Sequence, residues 1–174
     1  MRVACIFKNS VKSLRAAARK GPTMIKKIVS GGQSGVDRAA LDAALENGFP
    51  LGGWCPKGRP AEDGPIDEKY PLKQTPSEAY SQRTQWNVRD SDGTLILARG
   101  DISGGTAFTA QAAKKLHKPH MIMDLRQGQD LSKVKRWIAD NKIAVLNIAG
   151  PRASKEPKVY LEALAFLRHL FKNS

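Results

Sequence analysis

Lys26-Lys27-Ile28-Val29-Ser30-Gly31-Gly32-Gln33-Ser34-Gly35-Val36-Asp37-Arg38-Ala39-Ala40-Leu41 passes from a short apolar run through a glycine turn into an amphipathic repeat. The β-branched Ile25, Ile28 and Val29 predict a buried strand. Gly31, Gly32 and Gly35 leave the turn without side chains, so a ligand can approach the backbone. Ser34 is placed to cap the next helix, with Asp37 three residues on closing a capping box. Val36, Ala40, Leu41, Ala44 and Leu45 recur at helical spacing, and Asn47-Gly48 ends the helix. Free amides at such a helix start attract anions, phosphate above all. An ordinary tight turn carries the same glycines, so this stretch alone leaves both readings open.

Working outward, residues 49–54 predict a second strand whose Gly52-Gly53 pair implies close backbone approach. Residues 55–67 are too rich in Pro and Gly for regular structure, and loops of that length usually serve as lids or binding loops. Thr75-Pro76-Ser77-Glu78 reads as a helix start with a Thr cap, the helix running to about Val88. Asp90-Ser91-Asp92-Gly93 is a turn. The wholly apolar residues 94–98 predict a central strand. A second glycine turn spans residues 100–106, and the helix after it carries Ala107, Ala110, Ala113 and Leu116 as a stripe that lets it lie close to the sheet. Residues 120–124 and 143–149 predict two more strands, separated by a helix bearing Val134, Trp137 and Ile138. The last strand runs into Gly150-Pro151-Arg152-Ala153-Ser154-Lys155, and a final helix packs through Leu161, Leu164, Leu167 and Leu170 or Phe171.

Alternating strands and helices predict an α/β three-layer sandwich. Its sheet should be mostly parallel, with about five strands or slightly more. Right-handed crossovers put every strand-to-helix loop on one edge, and ligands of such sheets bind there, at the topological switch point. Three loops at that edge carry Gly with Ser, Thr or Arg. Their coincidence points to a phosphate- or nucleotide-bearing ligand.

The 174 residues, 41% hydrophobic, fit one domain over 24–174 preceded by a basic extension over 1–23. No apolar run approaches the roughly 20 residues of a membrane span. Cys5 and Cys55 lie far apart, giving neither a disulfide framework nor a metal-binding spacing, and a reducing cytoplasm is expected. A net charge of +13 and a pI near 10.0 suggest polyanions. Much of that charge, however, lies in Arg2, Lys8, Lys12, Arg15, Arg19 and Lys20, ahead of Met24 and with no acidic residue among them. The remaining basic residues do not interleave with aromatics as a base-stacking platform would. A nucleic-acid partner is therefore not the favoured expectation.

Residues 31–42, Gly-Gly-Gln-Ser-Gly-Val-Asp-Arg-Ala-Ala-Leu-Asp, resemble the "GGQTGADRAALD" opening of the "putative molybdenum carrier" protein family. Residues 52–59, 61–64, Arg83-Thr84 with Asn87-Val88, 90–92, 104–106 and 147–155 are also similar to that family, from about Met24 to the C-terminus. The resemblance implies a circularly permuted Rossmann-like fold in the superfamily of the Lonely Guy and lysine decarboxylase-like proteins. It implies a nucleotide-derived ligand or the molybdenum cofactor, a phosphate-bearing molybdopterin. The Lonely Guy enzymes carry Pro-Gly-Gly-x-Gly-Thr-x-x-Glu, whose Glu takes part in N-glycosidic cleavage. Here Thr109 stands at that place, and a hydroxyl cannot stabilise an oxocarbenium charge as a carboxylate does.

The expected phosphate-binding set is Gly31, Gly32, Gln33, Ser34, Gly35, Asp37 and Arg38 with Gly104, Gly105, Thr106 and Thr109. Further candidate contacts are Trp54, Cys55, Lys57, Arg59, Arg83, Asn87, Asp92 and Arg152. Arg38 reads equally as a bidentate phosphate ligand and as half of a salt bridge. Trp54 reads equally as a stacking surface and as core. Cys55 is a half-buried structural thiol or, beside Lys57 and Arg59, a thiolate able to bind molybdenum. Asp90 and Asp92 are turn residues first and Mg²⁺ ligands second. No catalytic or metal-binding residue is assigned. The expected function is a carrier or sensor of a phosphate-bearing ligand, with self-association possible. The alternatives are a nucleotide phosphoribohydrolase-like hydrolase using Glu62 or Asp63, and a basic nucleic-acid binder. Because the strand and helix pattern is complete after Met24, a chain starting there should melt within about 0.5 kcal/mol of the full chain, as for changes outside a core. Thermal denaturation of both checks this.

Overall fold

The computed structural model describes residues 25–128 and 130–172; the extension expected over residues 1–23 lies outside them. A parallel sheet forms the middle layer. Its strands are β1 (Lys27–Val29), β2 (Leu51–Gly52), β7 (Gly93–Ala98), β8 (His120–Asp124) and β9 (Val145–Ala149), in the order β2-β1-β9-β7-β8. The last strand therefore fills the centre: Ile28 pairs with Leu146 on one side, and Leu95 pairs with Ile148 on the other.

The helices are α1 (Val36–Glu46), α2 (Tyr80–Arg89), α3 (Gly104–Lys115), α4 (Leu131–Asp140) and α5 (Val159–Phe171). Helices α1, α4 and α5 pack together on one face, and α2 packs on α3. The moves β1 to β2 and β8 to β9 run one way across the sheet through α1 and α4. The move β7 to β8 runs the other way through α3. Opposite directions on opposite faces are what a single crossover hand requires. The fold is the Rossmann-like α/β sandwich that the alternation predicts.

Packing follows side-chain size. Ala39, Ala40, Ala43 and Ala44 are wholly buried on α1, which lets α5 approach and seat Phe166, Leu167 and Leu170 against Ile28, Leu146 and Ile148. Each of those large side chains contributes about 1.5–3 kcal/mol by leaving water. On the other face Val88 of α2 packs on Ala112 and Ala113 of α3.

Local structure departs from the sequence reading at four places. Ser34 does not cap α1. Gly35 occupies the cap position at φ 77°, with no side-chain cap bond. The Ser34 hydroxyl instead donates to Glu62 and accepts from the Ala153 amide at 3.2 Å. The second strand is broken at Gly53 (φ 131°), where a Cβ would run into the Ser30 carbonyl. The chain leaves the main sheet there, and β3 (Trp54–Cys55) pairs in parallel with β6 (Lys73–Gln74). That pairing takes Thr75, whose amide donates to Cys55 O at 2.9 Å and whose hydroxyl donates to Ser77 O at 2.8 Å. Thr75 is thus not a helix cap, and α2 starts at Tyr80. Within the long Pro- and Gly-rich loop a small hairpin, β4 (Pro60–Ala61) with β5 (Gly64–Pro65), is ordered after all.

Gly35 and Gly58 have nearly the same φ, 77° and 81°, with ψ −130° at Gly35. A Cβ at Gly35 would collide with Pro151 O and lie 2.8 Å from Ala153 N, whereas one at Gly58 meets nothing. Gly58→Ala should cost about 1–2 kcal/mol, the left-handed penalty alone. Gly35→Ala should cost at least about 1–3 kcal/mol more, the range of overpacking. Urea unfolding of the two variants gives the difference.

Candidate functional site

A cavity of about 440 Å³ opens at the carboxyl ends of β7 and β9, between the loops that follow β1, β7 and β9. The β1–α1 loop and first turn of α1 contribute Gln33 and Asp37. The β7–α3 segment contributes Arg99, Asp101 and Ser103, and then Gly104, Gly105 and Thr106 from the first turn of α3. The β9–α5 loop brings Gly150, Arg152, Ser154 and Lys155. The start of α2 closes the side with Tyr80, Arg83 and Thr84.

The end of α3 is the open pole. Ser103 is its cap residue, with no side-chain cap bond, and no acidic residue lies in the first turn. The Thr106 and Ala107 amides bond to Ser103 O at 3.1 and 3.2 Å, while those of Gly104 and Gly105 have no acceptor among the described residues. A Cβ at either glycine meets nothing within 4 Å. Gly104 sits at φ 51°, but Gly105 does not have positive φ. The Thr109 hydroxyl donates back to Gly105 O at 2.9 Å. The end of α1 is closed by contrast: the Val36 amide donates to Pro151 O at 3.3 Å.

Arg83 Nη1 meets Asp37 Oδ2 at 2.9 Å, both side chains largely out of water. Burial pushes the Asp37 carboxyl above the usual carboxylate range, against the pull of Arg83. Gly31 has no room for a side chain because the Arg83 guanidinium fills that space. Arg99 is held by Glu156 at 3.3 Å and by Glu162 at 2.9 Å. Arg152 differs. Its guanidinium lies 4.5 Å from the Tyr80 ring centroid, with no carboxylate in ion-pair range among the described residues. Gln33 is 3% exposed. Its Oε1 accepts from the Ser34 amide at 3.1 Å and from the Glu62 amide at 2.9 Å, while its Nε2 is buried without a partner.

Of the expected residues the cavity wall includes Gln33, Asp37, Arg83, Gly104, Gly105, Thr106, Thr109 and Arg152. The others lie elsewhere. Gly32 abuts Leu72, and Gly35 abuts Pro151. Arg38 takes its salt-bridge reading, with Asp63 at 3.1 Å and Gly32 O at 3.2 Å. Trp54 packs edge-on against Trp86, donates to Asp90 at 2.7 Å, and is clamped through its backbone by Asn87 at 2.7 and 3.0 Å. Cys55 is fully buried, burial pushes its thiol pKa up, and the thiol contacts Lys73 O at 3.5 Å. That corrects the thiolate reading. Lys57 is exposed outside the cavity. Arg59 donates to the carbonyls of Ile66, Asp67, Tyr70 and Leu72, so it holds its own loop together. Asp92 accepts from the Ala144 and Val145 amides at the opposite sheet edge. The sequence reading missed Tyr80 and Arg99, whose only signal is a place within a turn of a strand or helix end, and did not single out Lys155 from the 147–155 stretch.

Glu62 straps the long loop to the β9–α5 loop. It accepts from Ser34, from the Ser154 amide at 2.9 Å and from the Ser154 hydroxyl at 2.6 Å. Asp63 is paired with Arg38. Neither carboxylate faces the cavity, so neither stands where a hydrolase would need it. Asp42 joins the same loop to α5 by accepting from Tyr70 at 2.6 Å and Tyr160 at 2.8 Å. Burial and that carboxylate push the Tyr160 pKa up to about 12.

Residues 28–171 match the Circularly permutated YpsA SLOG family. A solved structure is also similar: the "Putative molybdenum carrier protein" of Syntrophus aciditrophicus SB, 45% identical. The match covers 86% of this chain and 96% of that one, with a TM-score of 0.82. No curated protein matches. The chain belongs to the circularly permuted YpsA branch of the SLOG proteins. Among the described residues no helix is long and apolar enough to cross a membrane, and no cluster of His, Cys, Asp or Glu could hold a metal ion.

The Glu62 strap gives a pH test. Burial opposes ionisation, but the hydrogen bonds from Ser154 and Ser34 outweigh it and hold the carboxyl below its ordinary 4.5. A depressed native pKa adds stability above the unfolded value and loses it as pH falls through the native one. Melting temperature should therefore fall on acidification below about pH 4.5. Glu62→Gln should remove part of that fall and leave other acid-sensitive groups in place. Melts of both proteins between pH 3 and 7 check the difference in slope.

Proposed function

We propose that this protein binds a small phosphate-bearing, nucleotide-like ligand, the molybdenum cofactor being one candidate, and acts as its carrier or sensor. The observation that carries the reading is the open amino end of α3, where two glycine amides face a cavity that also holds Arg152. Aligned amides and the helix dipole favour an anion there. Arg152 adds a guanidinium with no carboxylate in ion-pair range among the described residues, and Lys155 lies on the same wall. The phosphate of such a cofactor fits this donor set; the buried, hydrogen-bonded thiol of Cys55 offers nothing to its metal. The name of the Syntrophus relative supports the molybdenum candidate.

Gly105→Val separates binding from folding. The added side chain enters open space without backbone strain, so melting should change by less than about 1 kcal/mol, the penalty of an ordinary exposed helical substitution. It should abolish binding of the ligand that native mass spectrometry finds with protein purified from its host. Arg152→Ala should weaken the same ligand by roughly 1.5–3 kcal/mol, the worth of a charge-assisted hydrogen bond. Calorimetric titration measures both, and unchanged affinity in both variants refutes the reading.

A further inference from the structure

The main sheet has two edges, and they are unlike. One is β2, a strand of two residues. The other is β8, which pairs with β7 alone. The Thr94 amide donates to Pro119 O at 2.9 Å, and the Leu125 amide donates to Ala98 O at 2.9 Å. In a parallel ladder the bonding groups of successive residues point to alternate sides of the strand. Pro119, Met121, Met123 and Leu125 therefore direct theirs to β7, and His120, Ile122 and Asp124 turn theirs outward. Among the described residues the outward groups of His120 and Ile122 meet no partner, and the Asp124 carbonyl takes one turn bond, from the Gln127 amide at 3.1 Å. Natural edges are blunted by Lys, Pro, a bulge or a cover. β8 contains no Lys or Pro, its register with β7 is unbroken, and Ile122 at its middle is 46% exposed. Met123 belongs to the core with Val134 and Ile138, so His120, Ile122 and Asp124 set their side chains on the opposite face of the sheet.

We propose that the β8 edge pairs antiparallel with the β8 edge of a second copy of this chain, about a two-fold axis through Ile122. Such an interface sets one surface against itself, so the strand must be complementary to itself. With Ile122 on the axis the outward residues meet in register. Ile122 faces Ile122, exchanges both backbone bonds with it and covers its exposed side chain. His120 faces Asp124, a carboxylate that Arg126 holds at 2.9 Å and keeps ionised. The same register brings Lys118 opposite Arg126, but each is engaged within its own chain: Lys118 donates to Ser91 O at 2.8 Å and Arg126 to Asp124. No free like charges therefore meet along the ladder. A strand from another protein would gain the same backbone bonds without this side-chain match. The pairing doubles the five-stranded sheet. Because it reverses direction, each cavity stays at the carboxyl edge of its own copy, complete without the other. The inference is independent of the ligand reading.

Sedimentation equilibrium of the full chain over a series of concentrations tests this. A reversible monomer–dimer equilibrium is expected, because a contact of one strand pair belongs to the weak class of interfaces. Ile122→Lys removes the isoleucine pair and sets like charges against each other on the axis, at a side chain that the single chain leaves half in water. It should raise the dimer dissociation constant at least about tenfold. Leu161→Lys adds the same charge at a position 68% exposed on α5, away from the edge, and should leave that constant unchanged. A cross-link fixes the register. Facing residues that exchange both bonds have Cα atoms about 5.5 Å apart, within the span of a disulfide. Cys55 is buried. With Cys5→Ser as background, Ile122→Cys should therefore join two copies under mild oxidation, and Leu161→Cys should not. A full chain that stays monomeric at every concentration overturns the proposal, the edge then being covered by the 1–23 extension or taken by a strand of another protein. A dimer that Ile122→Lys leaves intact, or that Ile122→Cys fails to cross-link, overturns it as well.

Discussion

The structure depends on how the last strand enters the sheet. β9 lies between β1 and β7, so its outgoing loop must pass directly over the start of α1. Gly35 makes that contact possible: with no Cβ, it lets the Pro151 carbonyl come close enough to accept from the Val36 amide. Both glycines that matter most in the β1–α1 turn are consumed in packing, Gly31 under Arg83 and Gly35 under Pro151. The same contact brings the β1, β7 and β9 loops around one cavity at the switch point, where open α/β sheets leave a crevice.

This packing also decides where an anion would sit. Two helix starts face the cavity edge, and their dipoles are alike in sign. The first is capped by protein, through Pro151 O on Val36. The second, at Gly104 and Gly105, is left to whatever enters the cavity. The cations divide in the same manner. Arg38, Arg83 and Arg99 each have a carboxylate, so they hold loops and walls in place. Arg152 has no carboxylate in ion-pair range among the described residues; the face of Tyr80 orients its guanidinium, while Asp37 and Glu62 feel its charge from farther away.

Much of this was legible in the sequence, because periodicity and glycine punctuation report the backbone directly. The five strands of the main sheet lie where the apolar runs predict them, with β7 starting one residue early at Gly93 of the predicted turn, and the three loops converge as crossover handedness requires. What periodicity cannot report is which partner a polar side chain finds across the fold. Ser34 has the spacing of a cap, yet Glu62, 28 residues away, takes its hydroxyl. Thr75 has the spacing of a cap, yet the β3–β6 ladder takes its amide. Cys55 sits among basic residues in the chain, but Arg59 spends its guanidinium on four carbonyls and the thiol is buried. Arg99 and Tyr80 carry no motif at all and reach the cavity only because β7 and α2 end or begin there.

Gln33 shows how a sequence motif and its physical use can differ. In the chain it is one polar residue within a glycine turn, indistinguishable from a loop residue that faces water. In the fold its carbonyl oxygen locks the β1–α1 turn to the long loop by accepting from Ser34 and Glu62. That lock fixes the other end of the same amide, because exchanging oxygen for nitrogen would set donor against donor at two places. The β1–α1 turn and the long loop are therefore tied through one side chain. A change that loosens the strap, such as loss of the Glu62 carboxylate from Ser34 and Ser154, leaves the Glu62 amide free to move away from Gln33. The order of the long loop and that of the turn beside the cavity are coupled through that amide.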